Sequence, residues 1–323
     1  EHINHPDRIL HPMKNVGTRG AQRWVPISWD QALDEIAARL RQIIGTYGPE
    51  SVAVSSLMGN VSGDQGMIRR FMNLIGSPNF ISGLHMCEGN TLQVHRATFG
   101  TSIAEDLSSA NCILLVGHNP HRGNWAGQAA QLDAALARGA KLIVLDPRKS
   151  ENAWRADIHL PLRYGTDTAM LLGFLRVIVE EELYDKEFVA RYTYGFPQLR
   201  ERLQEYSLEK VAAITGCDAQ QIAAAARLFA TAGPSVIPWG PILDMQVNST
   251  SGIRCEDLLV SICGFVGKCE QLQSPEPALV NVSQLELHEM LSQEQKEKQL
   301  GADRYPLLSY RGYEPLRAAV KRV

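Results

Sequence analysis

The chain has 323 residues, with 32 Lys and Arg against 35 Asp and Glu, and a formal net charge of −3 at pH 7. Its 45% hydrophobic and 21% charged residues lie near the globular average, which excludes a disordered or fibrous chain. The balanced charge and 7% aromatic content leave no basic footprint for nucleic acid, and no apolar run reaches the roughly 18 residues of a membrane span. The length favours two domains. Six cysteines without a Cys-x-x-Cys pair are not a disulfide framework, so a reducing, cytoplasmic setting is expected.

Ser28-Trp29-Asp30-Gln31 reads as a capping box opening a helix. Leu33, Ile36, Ala37, Leu40, Ile43 and Ile44 follow at helical spacing, and Gly45 is expected to end it. A short strand over 51–56 and a helix over 67–75, closed by Gly76-Ser77-Pro78, come next. A further helix is expected over 90–99. Cys112–Val116 is a continuous apolar run, as in a parallel strand buried on both faces, and it ends in the polar loop 117–123. An Ala-rich helix over 124–138 leads to a second such strand, Lys141–Leu145, and to Asp146-Pro147-Arg148. Ile158–Leu160, the turn 164–167 and an apolar helix over 169–179 continue the alternation. Helices over 185–192, 208–214 and 218–230, a strand over 235–239 and a helix over 251–266 follow. The Gln- and Glu-rich stretch 284–300 reads as a surface helix. This rhythm predicts an α/β fold, with a doubly wound parallel sheet and part of a second α/β layer.

Ligands of open α/β sheets bind beyond the carboxyl ends of the strands. Three strand-end loops, 117–123, 146–148 and 165–167, are polar there. Gly117 and Gly165 let backbone N–H groups approach phosphate, and Asp146 or Asp167 can accept both donors of a guanine edge. Arg148 can pair with phosphate or stack on a base. Together these loops suggest a nucleotide-bearing ligand; ordinary turn and N-cap chemistry explains Asp-Pro and Gly-Thr-Asp equally well. The chain has neither Gly-x-Gly-x-x-Gly nor a phosphate-loop signature.

Cys87 falls just before the helix expected at residue 90, where a helix N-terminus lowers a thiol's pKa. It is a candidate nucleophile or metal ligand, against the commoner role of a small buried hydrophobe. His85, Cys87 and His95 match no standard zinc spacing. Cys269 is expected in an exposed loop; His118 and His121, in the nucleotide-facing loop, are placed to touch a ligand, with solvated loop residues as the commoner reading. Trp125 and Trp239 sit where aromatics either pack or wall an apolar pocket.

The whole pattern resembles the molybdopterin oxidoreductase family of dimethyl sulfoxide reductase type. The stretches 6–14 and Ile27-Ser28-Trp29-Asp30-Gln31-Ala32-Leu33 carry the likeness. So do Asp146-Pro147-Arg148, Ala156-Asp157, Gly165-Thr166-Asp167 and Leu183-Tyr184-Asp185 with Phe188-Val189. Arg69-Arg70-Phe71-Met72-Asn73-Leu74, Met86-Cys87 with Gly89-Asn90-Thr91, and His95-Arg96 are similar to the tungsten branch of acetylene hydratase type. The resemblance implies a tungsten or molybdenum ion held by two molybdopterin guanine dinucleotides and one protein ligand, at the position of Cys87. It assigns Gly117, Asn119, Asp146, Arg148, Gly165, Thr166 and Asp167 to one dinucleotide. Trp125 and Trp239 resemble members of an apolar ring over the metal. Glu88 stands where that branch has an apolar residue; a carboxylate there either makes the pocket polar or is protonated by desolvation, and if it faces the site it is a candidate proton donor or acceptor.

On this resemblance, residues 1–82 open one α/β domain, 83–273 form a Rossmann-like dinucleotide-binding domain, and 274–323 return towards the first. A four-cysteine segment for a [4Fe-4S] cluster and a C-terminal pterin-binding domain are absent from these residues, so the chain is expected to be an inactive part of a longer enzyme. Missing domains or a complementary chain, and a small-molecule substrate, are its implied partners. The expected activity is metal-assisted addition of water to a small unsaturated substrate. The alternatives are a redox enzyme acting on a small oxidised or hydroxylated substrate and a non-catalytic relative.

Overall fold

The computed structural model describes residues 4–56, 62–82, 87–101, 103–123, 126–272 and 282–301. The chain divides into two units, Glu1–Gly83 with Leu279–Val323, and Leu84–Ala278. In the first, β1 (Met13–Asn15) and β2 (Trp24–Pro26) form an antiparallel ribbon. Helix α1 (Trp29–Tyr47) follows, and β3 (Val54–Ser56) crosses through α2 (Ser62–Ile75) to its parallel partner β4 (Phe80–Ser82). Ser28 Oγ accepts the Gln31 N–H at 3.1 Å, but the Gln31 amide donates to Glu35 instead, so only half of the expected box forms. The helix runs through Gly45 and stops at Gly48, whose φ of 84° a side chain resists. None of its residues is buried; Leu33 and Ile36 remain 57% exposed.

The expected helix over 284–300 is broken into Val282–Glu286, a tight turn at His288–Met290, and Gln293–Glu297. Leu287 has a φ of 55° and interrupts the helical backbone, and Leu291 is drawn into the interior. A full capping box restarts the helix, with Ser292 and Gln295 bonding reciprocally.

In the second unit α3 (Gly89–Phe99) leads to β5 (Ile103–Glu105) and to β6 (Cys112–Val116). Next come α4 (Ala126–Ala137), β7 (Lys141–Leu145), α5 (Glu151–Arg155), β8 (Ile158–Leu160) and α6 (Asp167–Glu180). Helices α7 (Lys186–Tyr192), α8 (Phe196–Leu203), α9 (Leu208–Thr215) and α10 (Ala219–Thr231) precede β9 (Ser235–Val236). The unit closes with α11 (Pro241–Asp244), α12 (Ser249–Ile262) and β10 (Glu270–Leu272), which pairs antiparallel with β5.

The central sheet has the order β8-β7-β6-β9 and is parallel throughout. Alternate residues go to opposite faces: Cys112, Leu114, Ile143 and Leu145 join the core under α6, α10 and α12. Ile113, Leu115, Leu142 and Val144 join Leu132 and Ala135 of α4 on the other face. Helices therefore cover both faces, as expected of a doubly wound sheet. The strand expected over 235–239 pairs only at Ser235–Val236, since Pro238 has no N–H to donate. Cys269, expected to be exposed, is buried in the second core, because pairing of the adjacent β10 with β5 turns its thiol inward. Gly173 on α6 allows close approach of α9; a Cβ there would lie 2.9 Å from Val211.

Among the described residues no helix is long and apolar enough to cross a membrane. Phe174 is fully buried on the larger core face. Replacing it with Ala should lower unfolding stability by about 3–5 kcal/mol, read as a lower urea midpoint of the second unit.

Candidate functional site

Because β6, β7 and β8 are parallel, their carboxyl ends open on one edge of the sheet. β9 lies on the other side of β6 from β7, so the strand order reverses at β6, and ligands of such sheets sit at this point. Gly117 follows β6 with φ 54°, and a Cβ there would meet Ile242 at 2.6 Å; only glycine satisfies both constraints. Asn119 donates to Glu151 at 3.0 Å and accepts from Asn152 at 2.9 Å. Glu151 also pairs with Arg122, and its carboxyl is held down at about 2 by the Asn119 bond first, then by backbone N–H and Arg122.

Asp146 is buried at the end of β7, where it accepts the Arg148 N–H at 2.8 Å. The Arg148 side chain is exposed and rests against the same carboxylate at 3.4 Å. Gly165 turns with φ 75° and has open space where a Cβ would stand. Thr166 donates its hydroxyl to the Arg163 carbonyl at 2.6 Å, and Asp167 begins α6, buried and accepting from Gln246 at 2.7 Å. The sheet thus brings the residues after β6, β7 and β8 to one edge. His118, expected to be solvated, is buried there: Nε2 lies 2.7 Å from Gln128, and its ring fills the space beside Gly240. Burial pushes its pKa down, with Gln128 opposing.

Cys87 is half-buried directly before Glu88, the N-cap residue of α3. The expected lowering of its pKa is not found: burial raises it, and the Asp244 and Glu88 charges raise it further. The reason is that the positive end of α3 is already occupied. Asp244, only 4% exposed, accepts from the Thr91 N–H at 3.0 Å and the Thr91 hydroxyl at 2.7 Å. Asn90 donates to the Asp244 carbonyl at 3.0 Å. The Trp239 indole N–H donates to the Asp244 carboxylate at 3.0 Å and to Thr91 Oγ1 at 3.2 Å, so the half-buried ring is locked beside α3. Burial pushes the Glu88 carboxyl up, with Asp244 adding to this and His95 opposing it. Trp125 and His85 lie outside the described residues.

Several residues here carry no sequence signal of their own. Asp244 caps a helix 153 positions away, Asn152 braces Asn119, and Gln246 reaches Asp167. Asn152 Nδ2 donates to Asn119, but Asn152 Oδ1 is buried without a hydrogen-bond partner, as are Thr168 Oγ1, Gln246 Oε1 and Ser249 Oγ. Buried polar atoms of this kind call for a ligand or water, and they fit a polar dinucleotide on this edge. Among the described residues no group of three or more His, Cys, Asp or Glu is arranged to hold a metal ion. Cys87 is the one cysteine among the described residues that is not fully buried. The remaining cysteines are buried, and burial holds Cys112, Cys255 and Cys263 at about 12, so they stay protonated.

Acetylene hydratase of Syntrophotalea acetylenica is 52% identical over 321 residues, covering 99% of this chain and 44% of that protein. The molybdopterin-containing subunit of thiosulfate reductase of Salmonella typhimurium is 36% identical over 235 residues, 73% of this chain and 31% of that one. The solved structure of acetylene hydratase from Pelobacter acetylenicus superposes with a TM-score of 0.82 at 53% identity, covering 96% of this chain and 43% of that chain. The chain spans less than half the length of these relatives. Residues 8–254 match the molybdopterin oxidoreductase family model, which implies a molybdenum or tungsten pterin cofactor. The chain belongs to the molybdopterin oxidoreductase family.

Proposed function

We propose that these residues are part of a tungsten or molybdenum enzyme of acetylene hydratase type, acting on a small unsaturated substrate. The observation that carries the reading is the lone thiol of Cys87 at the head of α3, in the same unit as the polar edge of the sheet. The 52% identity that runs over nearly the whole chain supports it. One molybdopterin guanine dinucleotide is assigned to Gly117, Asn119, Asp146, Arg148, Gly165, Thr166 and Asp167. The second, and a [4Fe-4S] cluster, are assigned to polypeptide outside these residues. The bound metal supplies Lewis-acid activation of water or substrate.

Within this scheme the chain's own groups have separate tasks. Cys87 contributes a soft thiolate donor. Asp146 and Asp167 accept the guanine-edge donors, for which their burial beside polar partners suits them. Arg148, exposed and only loosely paired, can turn from Asp146 to a phosphate. Glu88 sits next to the metal ligand, where it can hold a proton and return it to the substrate. Trp239, fixed through its indole N–H, walls the pocket with an apolar face, and Trp125 is assigned the same task. Six free thiols suit a reducing, cytoplasmic setting.

The named redox relative, and a carboxylate at Glu88 in a pocket expected to be apolar, favour a second reading as a reductase of a small oxidised substrate. Turnover that needs no external electron acceptor supports hydration; strict dependence on one supports the reductase. Cys87→Ala in the complete enzyme should abolish turnover and remove the metal while leaving the circular dichroism spectrum unchanged. Full activity with metal still bound would remove Cys87 from the ligand role. Asp167→Asn should lower the guanine nucleotide released per chain on denaturation by about tenfold, as expected when a charged acceptor is lost.

A further inference from the structure

The Trp239 ring is placed by hydrogen bonds more than by packing. Its indole N–H donates to Asp244 Oδ2 at 3.0 Å and to Thr91 Oγ1 at 3.2 Å. Its main-chain N–H donates to the Glu105 carboxyl. Beside the ring, between α3, β5 and α12, lies a cavity of about 20 Å³, room for one water. Thr91, His95, Phe99, Glu105 and Trp239 itself line it. A void of this size has no atoms to hold the ring on that side, so contact alone leaves the ring's angle free to change. The indole bonds set it.

The acceptor has to be a carboxylate. Asp244 Oδ1 takes the Thr91 N–H at 3.0 Å, while Oδ2 takes the Thr91 hydroxyl at 2.7 Å as well as the indole. Three donors thus converge on one side chain, and only an ionised carboxyl offers acceptors on both oxygens. An asparagine could answer either the helix N–H or the indole, and its amide N–H₂ group would then face the other donor. Asp244 and Thr91 are only 4% and 5% exposed, so solvent does not compete for these bonds.

We infer that Asp244 and Thr91 are positioning residues for the Trp239 ring and through it set the size limit of the substrate pocket. The inference rests on the assignment of Trp239 to the pocket wall made above. A ring held at one angle excludes a substrate one carbon too long. Once its N–H is freed, the ring gives way towards the neighbouring cavity and the extra methyl group is admitted. An apolar pocket discriminates a single carbon by roughly 10–200-fold, which sets the scale of the effect.

The test uses the complete enzyme, labelled with nitrogen-15 at its tryptophan indoles, with acetylene and propyne as substrate probes. The Trp239 indole N–H signal, assigned by its loss in Trp239→Phe, should exchange slowly with solvent in the wild type. Asp244→Asn should speed that exchange about tenfold or more, and Thr91→Val, which removes one of two acceptors, about threefold. Both should lower the kcat/KM ratio of acetylene over propyne, by about tenfold in Asp244→Asn. Thr91→Ser keeps the hydroxyl and should behave as the wild type. General damage to the fold slows both substrates alike, so the ratio reports ring position; Thr91→Val decides the matter if Asp244→Asn does not fold. Unchanged exchange in the folded variants overturns the inference, and faster exchange with an unchanged ratio overturns the size limit. If the wild type turns over neither alkyne, the hydratase reading fails, and the positioning role then stands or falls on the indole exchange.

Discussion

Two strands buried on both faces, Cys112–Val116 and Lys141–Leu145, impose the constraint from which the second unit follows. Neither face can meet water, so helices must cover both, and parallel pairing sends every crossover through such a helix. The polar loops are then left only the ends of the strands. With β9 added beside β6 rather than beside β8, the helices before and after β6 diverge and leave a crevice at its carboxyl end. Gly117, Asn119, Asp146 and Asp167 come to that edge because the hydrophobic requirement leaves them no other place.

At the head of α3, the Asp244 carboxylate satisfies the first turn of the helix across a long stretch of chain, and the same carboxylate orients the Trp239 indole. One buried carboxylate thereby fixes both the first turn of α3 and the ring beside it. The consequence for Cys87 is electrostatic. A helix N-terminus favours a thiolate only while its N–H groups are unanswered, and here an anion has taken them. Without a metal the thiol is kept protonated by burial and by neighbouring acid. A metal ion bound at Cys87 would reverse that balance, since metal coordination deprotonates a thiol.

Acid is concentrated around this helix beyond what capping requires. Glu88, Glu105, Asp244, Glu256 and Asp257 influence one another, with His95 the partner that offsets Glu88 and Glu105. Carboxyl groups gathered this way cost folding free energy unless they keep their protons or gain a cation. The chain spans under half the length of its named relatives.

The linear sequence determined the layer architecture and the family, because both rest on local chemistry: apolar runs, glycine turns and ordered motifs such as Asp146-Pro147-Arg148 and Gly165-Thr166-Asp167. The strand bounds at 112–116, 141–145 and 158–160 were legible for that reason, as were the strand-end loops. The short strands β1, β2, β5 and β10 were not, being three residues each and defined only by their partners. Only the tertiary structure decided that His118 is buried, that Asp244 caps α3, that Cys269 faces inward and that the Cys87 thiol is raised rather than lowered. Each of these depends on which distant side chain arrives beside the residue. Burial and charge are properties of that company, and no local pattern encodes them.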